Sequence, residues 1–218
     1  MVFSYISEGI DAVIIDEFYS EDQLKEIMLE LKWLTKPSIM SNDKGIGAAR
    51  DLNTNELLTS KNGIFLEDVF KDWKHSAIIS HTMRNTQETE FINKLISYNP
   101  LFKSIAQCDS RCHLISYYEN SDYYKQHVDS FFFTFLSYFN TEPKQFEGGE
   151  IILSSCNSNK TASVEPRNNR IIIIASATPH EVNEIKSKLN NTLSGNGRYC
   201  VASFLSVMPK SERNHDSN

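Results

Sequence analysis

The sequence predicts an α+β, mainly β protein in which an antiparallel sandwich or barrel carries helices on one side. Apolar residues recur at helical spacing only within residues 1–100, and six or more short runs of β-branched or aromatic residues follow. Strands and helices do not alternate along the chain, which disfavours a parallel sheet. A chain of 218 residues is long enough for one large domain. We therefore expect a single domain over 1–208, with a strand and helical support in 1–100, the β core in 101–208 and a disordered tail in 209–218.

The first elements are a strand and an amphipathic helix. The run "AVIIDEF" is typical of a short buried strand, and "SEDQLKEIMLELKWL" predicts a helix with Ser20 as its N-cap. Leu24, Ile27, Met28 and Leu31 recur at helical spacing and form one apolar face. Residues 41–63 are polar and punctuated by glycine, which indicates a long surface loop that covers a pocket. Residues 67–100 predict two further helices that end near Pro100.

The strands of the second half are short and separated by Asn, Ser, Pro and Gly turns. Antiparallel pairing suits such a succession of short runs without intervening helices. The runs are "RCHLISYYE", "KQHVDSFF", "FTFLSYFN", "GEIILSS", "NRIIIIAS" and "RYCVASFLSV".

Charge and cysteine content exclude several classes of protein. A formal net charge of −6 gives little support to binding of a phosphate backbone, so we expect no nucleic acid partner. The four cysteines form no CxxC pair, so their spacing fits neither a zinc ribbon nor a dense disulfide framework. No apolar run reaches the length needed to cross a bilayer, and no basic leader precedes an apolar stretch. We expect a cytoplasmic protein with no membrane partner.

The residues that indicate chemistry are His127 and Asp129 in "YYKQHVDSFFF". Side chains at positions i and i+2 of a strand share a face, so both are expected to point into the interior. A buried carboxylate must be paired or bound to a cation, because an ionised, unpaired one costs several kcal/mol. One more histidine would complete a set of two histidines and one carboxylate, which is the set that holds iron(II) with open positions.

His180 in "SATPHEVNEI" is the best candidate for that third ligand, because it directly follows an apolar strand of the β-rich half. His75 and His81 fall in the helical half, and His113 begins a strand with no acidic neighbour. His215 lies in the tail.

With these three residues and the segments around them, the sequence resembles the iron(II)- and 2-oxoglutarate-dependent dioxygenases, in particular their prolyl 4-hydroxylase-like branch. The resemblance covers about the last half of the chain. Its motifs are "YYENSDYYKQHVD", "TFLSYFN", "FEGGEIIL", "NRIIIIASATPHEV" and "GRYCVASFL", in the order of the family. It implies a double-stranded β-helix, or jelly roll, with iron(II), 2-oxoglutarate and dioxygen as cofactor and co-substrates, and it also allows ascorbate.

The resemblance also implies roles for individual residues. His127, Asp129 and His180 would be the metal ligands and catalytic residues. Arg198, which opens the last predicted strand, would bind the distal carboxylate of 2-oxoglutarate, a task that suits a planar guanidinium. Tyr117 and Tyr138 would line the co-substrate pocket. Residues 181–197 form a longer connection than the family pattern predicts, and Lys186 or Lys188 is the alternative to Arg198.

The function implied is hydroxylation, with prolyl residues of a peptide or protein as the leading substrate. A free amino acid or another small metabolite is the alternative substrate. Two other classes stay open: a non-catalytic cupin-like module that holds a structural metal, and a zinc hydrolase that uses the same ligands to activate water. Production of succinate separates the dioxygenase from both.

Overall fold

A computed structural model describes residues 1–7, 9–187 and 193–207 of the chain. The helices are α1 (Glu21–Leu34), α2 (Leu66–Val69), α3 (Ala77–Gln87) and α4 (Thr89–Tyr98), with 3₁₀ turns at Trp73–His75 and Pro100–Gln107. The strands are β1 (Val2–Ile6), β2 (Ala12–Asp16), β3 (Thr59–Ser60), β4 (Asn62–Phe65), β5 (Ser110–Tyr118), β6 (Tyr123–His127), β7 (Phe133–Phe139), β8 (Phe146–Gly148), β9 (Ile151–Ser154), β10 (Thr161–Val164), β11 (Arg170–Ala175), β12 (His180–Val182), β13 (Ile185–Ser187) and β14 (Arg198–Ser206). The predicted tail and Lys188 lie outside the described residues, and the single-domain boundary stays a prediction.

Two antiparallel sheets pack face to face. The larger has the order β1-β2-β11-β7-β14-β5-β4, and the smaller has the order β10-β9-β12-β6-β3. A further pair, β13-β8, extends the structure at one end. The mainly β, jelly-roll fold predicted from the sequence is confirmed, and the strand predicted at "AVIIDEF" is β2 of the larger sheet.

The larger sheet separates two apolar cores. One core lies between this sheet and the helices, and the other lies between the two sheets. The run of isoleucines in β11 shows the division: Ile171 and Ile173 belong to the helical core, whereas Ile172 and Ile174 belong to the core between the sheets. Alternate residues of a strand point to opposite faces, so a strand covered on both faces becomes a continuous apolar run.

Helix α1 forms as predicted. The Ser20 side chain accepts a hydrogen bond from the Gln23 backbone N–H, and the Gln23 side chain accepts one from the Ser20 N–H, which completes a capping box. Ile27 and Leu31 are fully buried in the helical core. The helix therefore covers the outer face of the larger sheet and lies away from the space between the sheets.

The sequence missed several short elements. The predicted loop at 41–63 ends earlier, because β3 and β4 pair with β6 and β5 respectively. The segment predicted to hold two helices also contains α2 and a 3₁₀ turn. Strand β6 ends at His127, so the prediction that Asp129 lies on the same strand is wrong. None of the helices in the described part of the chain is long and apolar enough to cross a membrane.

Candidate metal and co-substrate site

The structure brings His127, Asp129 and His180 together at one end of the space between the sheets. His127 ends β6 and His180 begins β12, and the two residues are direct partners in the pairing of these strands. Asp129 follows in the β6–β7 loop, where its backbone N–H donates to the Ser176 carbonyl at 2.9 Å. This bond, formed outside the strand ladder, aims the carboxylate at the histidines.

The three side chains present their donor atoms to one point. The Asp129 carboxylate oxygens lie 3.9 Å from His127 Nε2 and 3.8 Å from His180 Nε2. All three ligand atoms lie within 4.8 Å of one another, and among the described residues this is the one group of His, Cys, Asp and Glu that could hold a metal ion.

The hydrogen bonds behind the histidines fix their tautomers. Nδ1 of His127 donates to the Lys125 carbonyl and Nδ1 of His180 donates to the Thr178 carbonyl, each at 2.9 Å. In the neutral form of each ring, Nε2 is therefore the nitrogen whose lone pair is available to a metal ion. Burial, together with the neighbouring His180, lowers the pKa of His127 to about 3, which favours the neutral ligand form.

A hydroxyl network orients the carboxylate. The Thr134 hydroxyl donates to Asp129 Oδ2 at 2.7 Å, and Thr134 Oγ1 lies 2.8 Å from Ser176 Oγ. Two imidazoles and one oriented carboxylate form a donor set that fits a divalent metal with open positions. The residues present therefore fit the iron(II) that the sequence resemblance implies.

Arg198 lies in the same cavity between the sheets. Its side chain belongs to β14 and is one of the largest fully buried side chains, with a relative exposure of 1%. None of its three guanidinium nitrogens has a hydrogen-bond partner among the described residues. The guanidinium carbon lies 4.7 Å from the ring centre of Tyr118 and 4.8 Å from that of Tyr138. A buried cation without a partner costs several kcal/mol, so this group is suited to an anionic ligand.

Gly149 permits this position of Arg198. Its backbone has a φ of +74°, and a Cβ atom there would lie 2.2 Å from Ile185 Cδ1 and 2.9 Å from Arg198 Cδ. A side chain at this position would displace the arginine, so the second glycine of "EGGE" has a steric role beside the guanidinium.

The two predicted tyrosines divide between the two faces of the larger sheet. Tyr138 lines the cavity, and its buried hydroxyl has no partner among the described residues. Burial raises the pKa of Tyr138 well above its usual value, so the phenol stays protonated and can donate. Tyr117 belongs instead to the helical core, where its hydroxyl accepts from the Gly197 N–H at 2.9 Å.

The cavity-facing position of β5 is Tyr118, so the prediction for Tyr117 is wrong by one residue. Adjacent residues of a strand point to opposite faces, and a slip of one position moves a side chain to the other face. The alternative basic residue Lys186 lies on β13, whereas Arg198 lines the cavity.

Sequence reasoning also missed Tyr124. Its ring stacks on the His127 imidazole with the ring centres 3.6 Å apart, and its hydroxyl accepts from the Ala49 N–H at 2.7 Å. No local pattern marks this residue, because the stack depends on how β6 ends and the bond depends on a segment 75 positions away.

The Ala49 bond is one of several contacts that fasten residues 44–49 beside the cavity. Lys61 Nζ donates to the Ile46 carbonyl at 2.8 Å, and Lys44 forms an ion pair with Asp122 at 3.1 Å. Gly47 of this segment lines the cavity. The predicted pocket-covering loop is therefore present and is held by buried polar groups.

The amine of Lys61 gives a testable dependence of stability on pH. Its burial lowers the pKa to about 8, whereas an unfolded lysine has a pKa of about 10.4. Between these values the unfolded chain binds more protons, so this residue adds about 3 kcal/mol to the free energy of unfolding as the pH rises from about 8 to about 10.4.

Urea unfolding of the wild type and of Lys61→Met, measured across this range, isolates the contribution, because titrating tyrosines and cysteines affect both proteins. We expect the wild type to gain stability relative to the variant, whereas a variant of the exposed Lys125, Lys125→Met, is expected to follow the wild type. A constant difference between wild type and Lys61→Met would show that the amine is not a buried cation.

Residues 112–206 match the family model of the 2OG-Fe(II) oxygenase superfamily. The fold is similar to that of a Trichoplax adhaerens prolyl hydroxylase solved in complex with a hypoxia inducible factor oxygen degradation domain peptide fragment, with a TM-score of 0.60 and 17% identity over 89% of this chain and 83% of that chain. A Pseudomonas putida prolyl-4-hydroxylase gives a TM-score of 0.56 and 12% identity over 91% of this chain and 93% of that chain.

An oxidoreductase of the 2OG-Fe(II) oxygenase family from Burkholderia pseudomallei gives a TM-score of 0.57 and 14% identity over 89% of this chain and 84% of that chain. A comparison with curated proteins finds no match. At these identities the solved structures establish the fold, and the segment matched by the family model contains His127, Asp129, His180 and Arg198. Over residues 112–206 the chain is similar to the 2OG-Fe(II) oxygenase superfamily, whose reactions use iron(II), 2-oxoglutarate and dioxygen.

Proposed function

We propose that this oxygenase hydroxylates prolyl residues of a peptide or protein, with His127, Asp129 and His180 as its metal ligands and Arg198 as its co-substrate clamp. The observation that carries the assignment of the site is the buried guanidinium of Arg198, which has no hydrogen-bond partner in the described part of the chain and lies in the cavity that the three ligands also line. A structural metal site needs no such cation, which disfavours a cupin-like module. A zinc hydrolase needs no such buried cation either.

In this site the side chains would hold and orient the metal and the co-substrate, and these bound groups would react. Iron(II) and 2-oxoglutarate supply the chemistry when bound, since decarboxylation of 2-oxoglutarate to succinate activates dioxygen for hydroxylation of a C–H bond. The backbone carbonyls behind His127 and His180 would orient the two imidazoles toward the metal. Thr134 holds the Asp129 carboxylate. Arg198 and the phenol of Tyr138 are placed to donate to the distal carboxylate of 2-oxoglutarate, and the two sheets exclude water from the reacting atoms.

A peptide substrate is supported by the Trichoplax adhaerens relative, which was solved with a peptide fragment. A free amino acid or small metabolite is the competing substrate. A cytoplasmic location is supported by the cysteines, since Cys108, Cys112, Cys156 and Cys200 are all free thiols.

An anaerobic titration tests the assignment of the site. Metal-free protein receives iron(II) and then 2-oxoglutarate, and the visible charge-transfer band of the chelated complex is recorded. We expect the band to appear, and succinate to form when air and proline-containing peptides are added. A folded protein that binds metal but gives no band with 2-oxoglutarate would favour a structural or hydrolytic metal site.

The two predicted tyrosines provide a matched pair of variants. Tyr138→Phe removes a donor that has no partner among the described residues and is expected to weaken 2-oxoglutarate binding about 10- to 150-fold, the value of one hydrogen bond to a charged group. Tyr117→Phe removes the acceptor for the Gly197 N–H, so we expect it to lower the free energy of unfolding by about 1 kcal/mol and to leave the affinity for 2-oxoglutarate unchanged. The band titration gives the affinity and urea unfolding gives the stability. An equal loss of affinity in both variants would contradict the assignment of faces.

A further inference from the structure

The loop that joins β6 to β7 carries apolar side chains on its outer surface. Val128, Phe131 and Phe132 are 52%, 38% and 57% exposed respectively. Between Asp129 and Thr134 this loop has no charged residue. Large apolar side chains exposed together mark interaction sites, because burying them in a partner is favourable. We call these three residues the apolar rim.

The rim is held in place by the backbone. The Asp129 N–H donates to the Ser176 carbonyl at 2.9 Å, the Phe132 N–H donates to the Leu205 carbonyl at 3.0 Å, and the Ser176 N–H donates to the Phe132 carbonyl at 3.0 Å. These bonds tie the loop to the end of β14 and to the β11–β12 turn. A surface held in this way is formed before a ligand arrives, which lowers the entropic cost of binding.

The rim is also continuous with the cavity. Val128 lies between His127 and Asp129 in sequence, and the Phe131 ring stacks on Phe204 with the ring centres 4.6 Å apart. Phe204 in turn lines the cavity that holds the metal-ligating side chains and Arg198. The apolar rim therefore adjoins the wall of the cavity that holds the metal-ligating side chains.

We propose that the apolar rim is the docking surface for a peptide substrate and binds an apolar side chain next to the residue that is modified. This inference rests on the proposed function. A free amino acid would be enclosed near the metal ligands and would leave Phe132 exposed to water, whereas a peptide extends beyond the cavity and can cover it. The rim has no charged side chain, and the one charged residue between its members, Asp129, faces the histidines, so the rim favours an apolar partner over an acidic or basic one.

Two fluorescein-labelled peptides of about 12 residues test the proposal. They share a central proline and differ only at its two neighbours, which are leucine in one peptide and serine in the other. Binding is measured by fluorescence anisotropy, without oxygen, to protein that holds iron(II) and 2-oxoglutarate, so that no turnover is needed. We expect the leucine peptide to bind the wild type about tenfold more tightly. Phe132→Ser is expected to abolish this preference.

Leu29→Ser is the matched control, because Leu29 is an exposed apolar residue (69% exposed) on α1, in the helical layer. This variant is expected to keep the preference. Equal binding of both peptides to the wild type, or a preference that survives in Phe132→Ser, would overturn the proposal. The wild type could also form a dimer that Phe132→Ser dissociates and that the leucine peptide leaves intact. That result would assign the surface to a second copy of the chain and would also overturn the proposal.

The charge-transfer band distinguishes a failure of the docking surface from a failure of the proposed reaction. If the band is absent but the preference for leucine holds and is lost in Phe132→Ser, the docking surface stands and the proposed reaction fails. If the band forms and the preference is absent, the reaction stands and the docking surface fails.

Discussion

Replacing Arg198 with methionine is expected to weaken 2-oxoglutarate binding by at least about 100-fold, because loss of one partner of a buried charge pair costs about 3–5 kcal/mol. The guanidinium is buried and has no partner among the described residues, so a bound carboxylate would be its main counter-charge. The measurement is the anaerobic band titration with increasing 2-oxoglutarate. An unchanged affinity in a folded variant would show that Arg198 is not the clamp.

The same variant has a second expected result that a purely structural arginine would not give. Methionine is close to arginine in length and carries no charge, so it removes the cost of burying an unpaired cation. Without ligand, we expect the free energy of unfolding of Arg198→Met to equal or exceed that of the wild type. Added 2-oxoglutarate is expected to raise the melting temperature of the iron-loaded wild type and to have little effect on the variant.

Arg170 offers the matched control. It is also almost fully buried in the larger sheet, on β11, but it donates two hydrogen bonds to Asp16, at 2.6 and 2.8 Å. Arg170→Met is expected to lower the free energy of unfolding by about 1–3 kcal/mol, because it leaves a carboxylate without its partner. It is expected to leave the affinity for 2-oxoglutarate unchanged. Comparing the two arginine variants therefore distinguishes an effect on stability from an effect on binding.

The fold follows from local patterns that the sequence states clearly. The isoleucines of β11 form a continuous apolar run because both faces of the strand are covered, one by helices and one by the second sheet. Ser20 and Gln23 define the start of α1 through bonds between near neighbours. Such features depend on residues a few positions apart, and this is why they could be predicted.

The identity of the candidate metal ligands could be predicted from the sequence, but the way in which the fold positions them could not. Asp129 was expected to share a strand with His127, but its backbone bonds to Ser176, 47 positions later, and the carboxylate is aimed by that contact. Nothing between residues 127 and 129 encodes it. The two side chains converge, as the sequence predicts. They converge because of the bond between Asp129 and Ser176, and not because they share a strand.

The adjacent tyrosines of β5 show a second limit. Alternation places Tyr117 and Tyr118 on opposite faces, but both faces of the larger sheet are buried, so no polar and apolar alternation marks which face meets the cavity. Lys61 shows a third limit: a lysine in a polar, glycine-punctuated stretch indicates solvent, whereas here its amine is buried against the Ile46 carbonyl.

Replacing Asp129 with alanine is expected to abolish metal-dependent activity, since it removes the only carboxylate of the candidate ligand set. Loss of a residue that merely supports a ligand costs about 10- to 100-fold in metal affinity, so loss of a ligand is expected to cost more than about 100-fold. Iron(II) binding is measured anaerobically by calorimetry. The rise in melting temperature on adding iron(II), expected for the wild type, should disappear in the variant.

Two further variants show what the carboxylate contributes. Asp129→Asn keeps an oxygen that can accept from the Thr134 hydroxyl but removes the charge, so we expect it to fold like the wild type and to bind iron(II) weakly. Glu67→Gln is the control, because Glu67 also pairs with a histidine, accepting from His113 Nδ1 at 2.8 Å, but this pair belongs to no group of three metal-binding residues in the described part of the chain. Glu67→Gln is expected to bind iron(II) as the wild type does. Wild-type affinity in Asp129→Ala, or an equal loss in Glu67→Gln, would mean that the metal is held elsewhere and that Arg198 lines a cavity with another purpose.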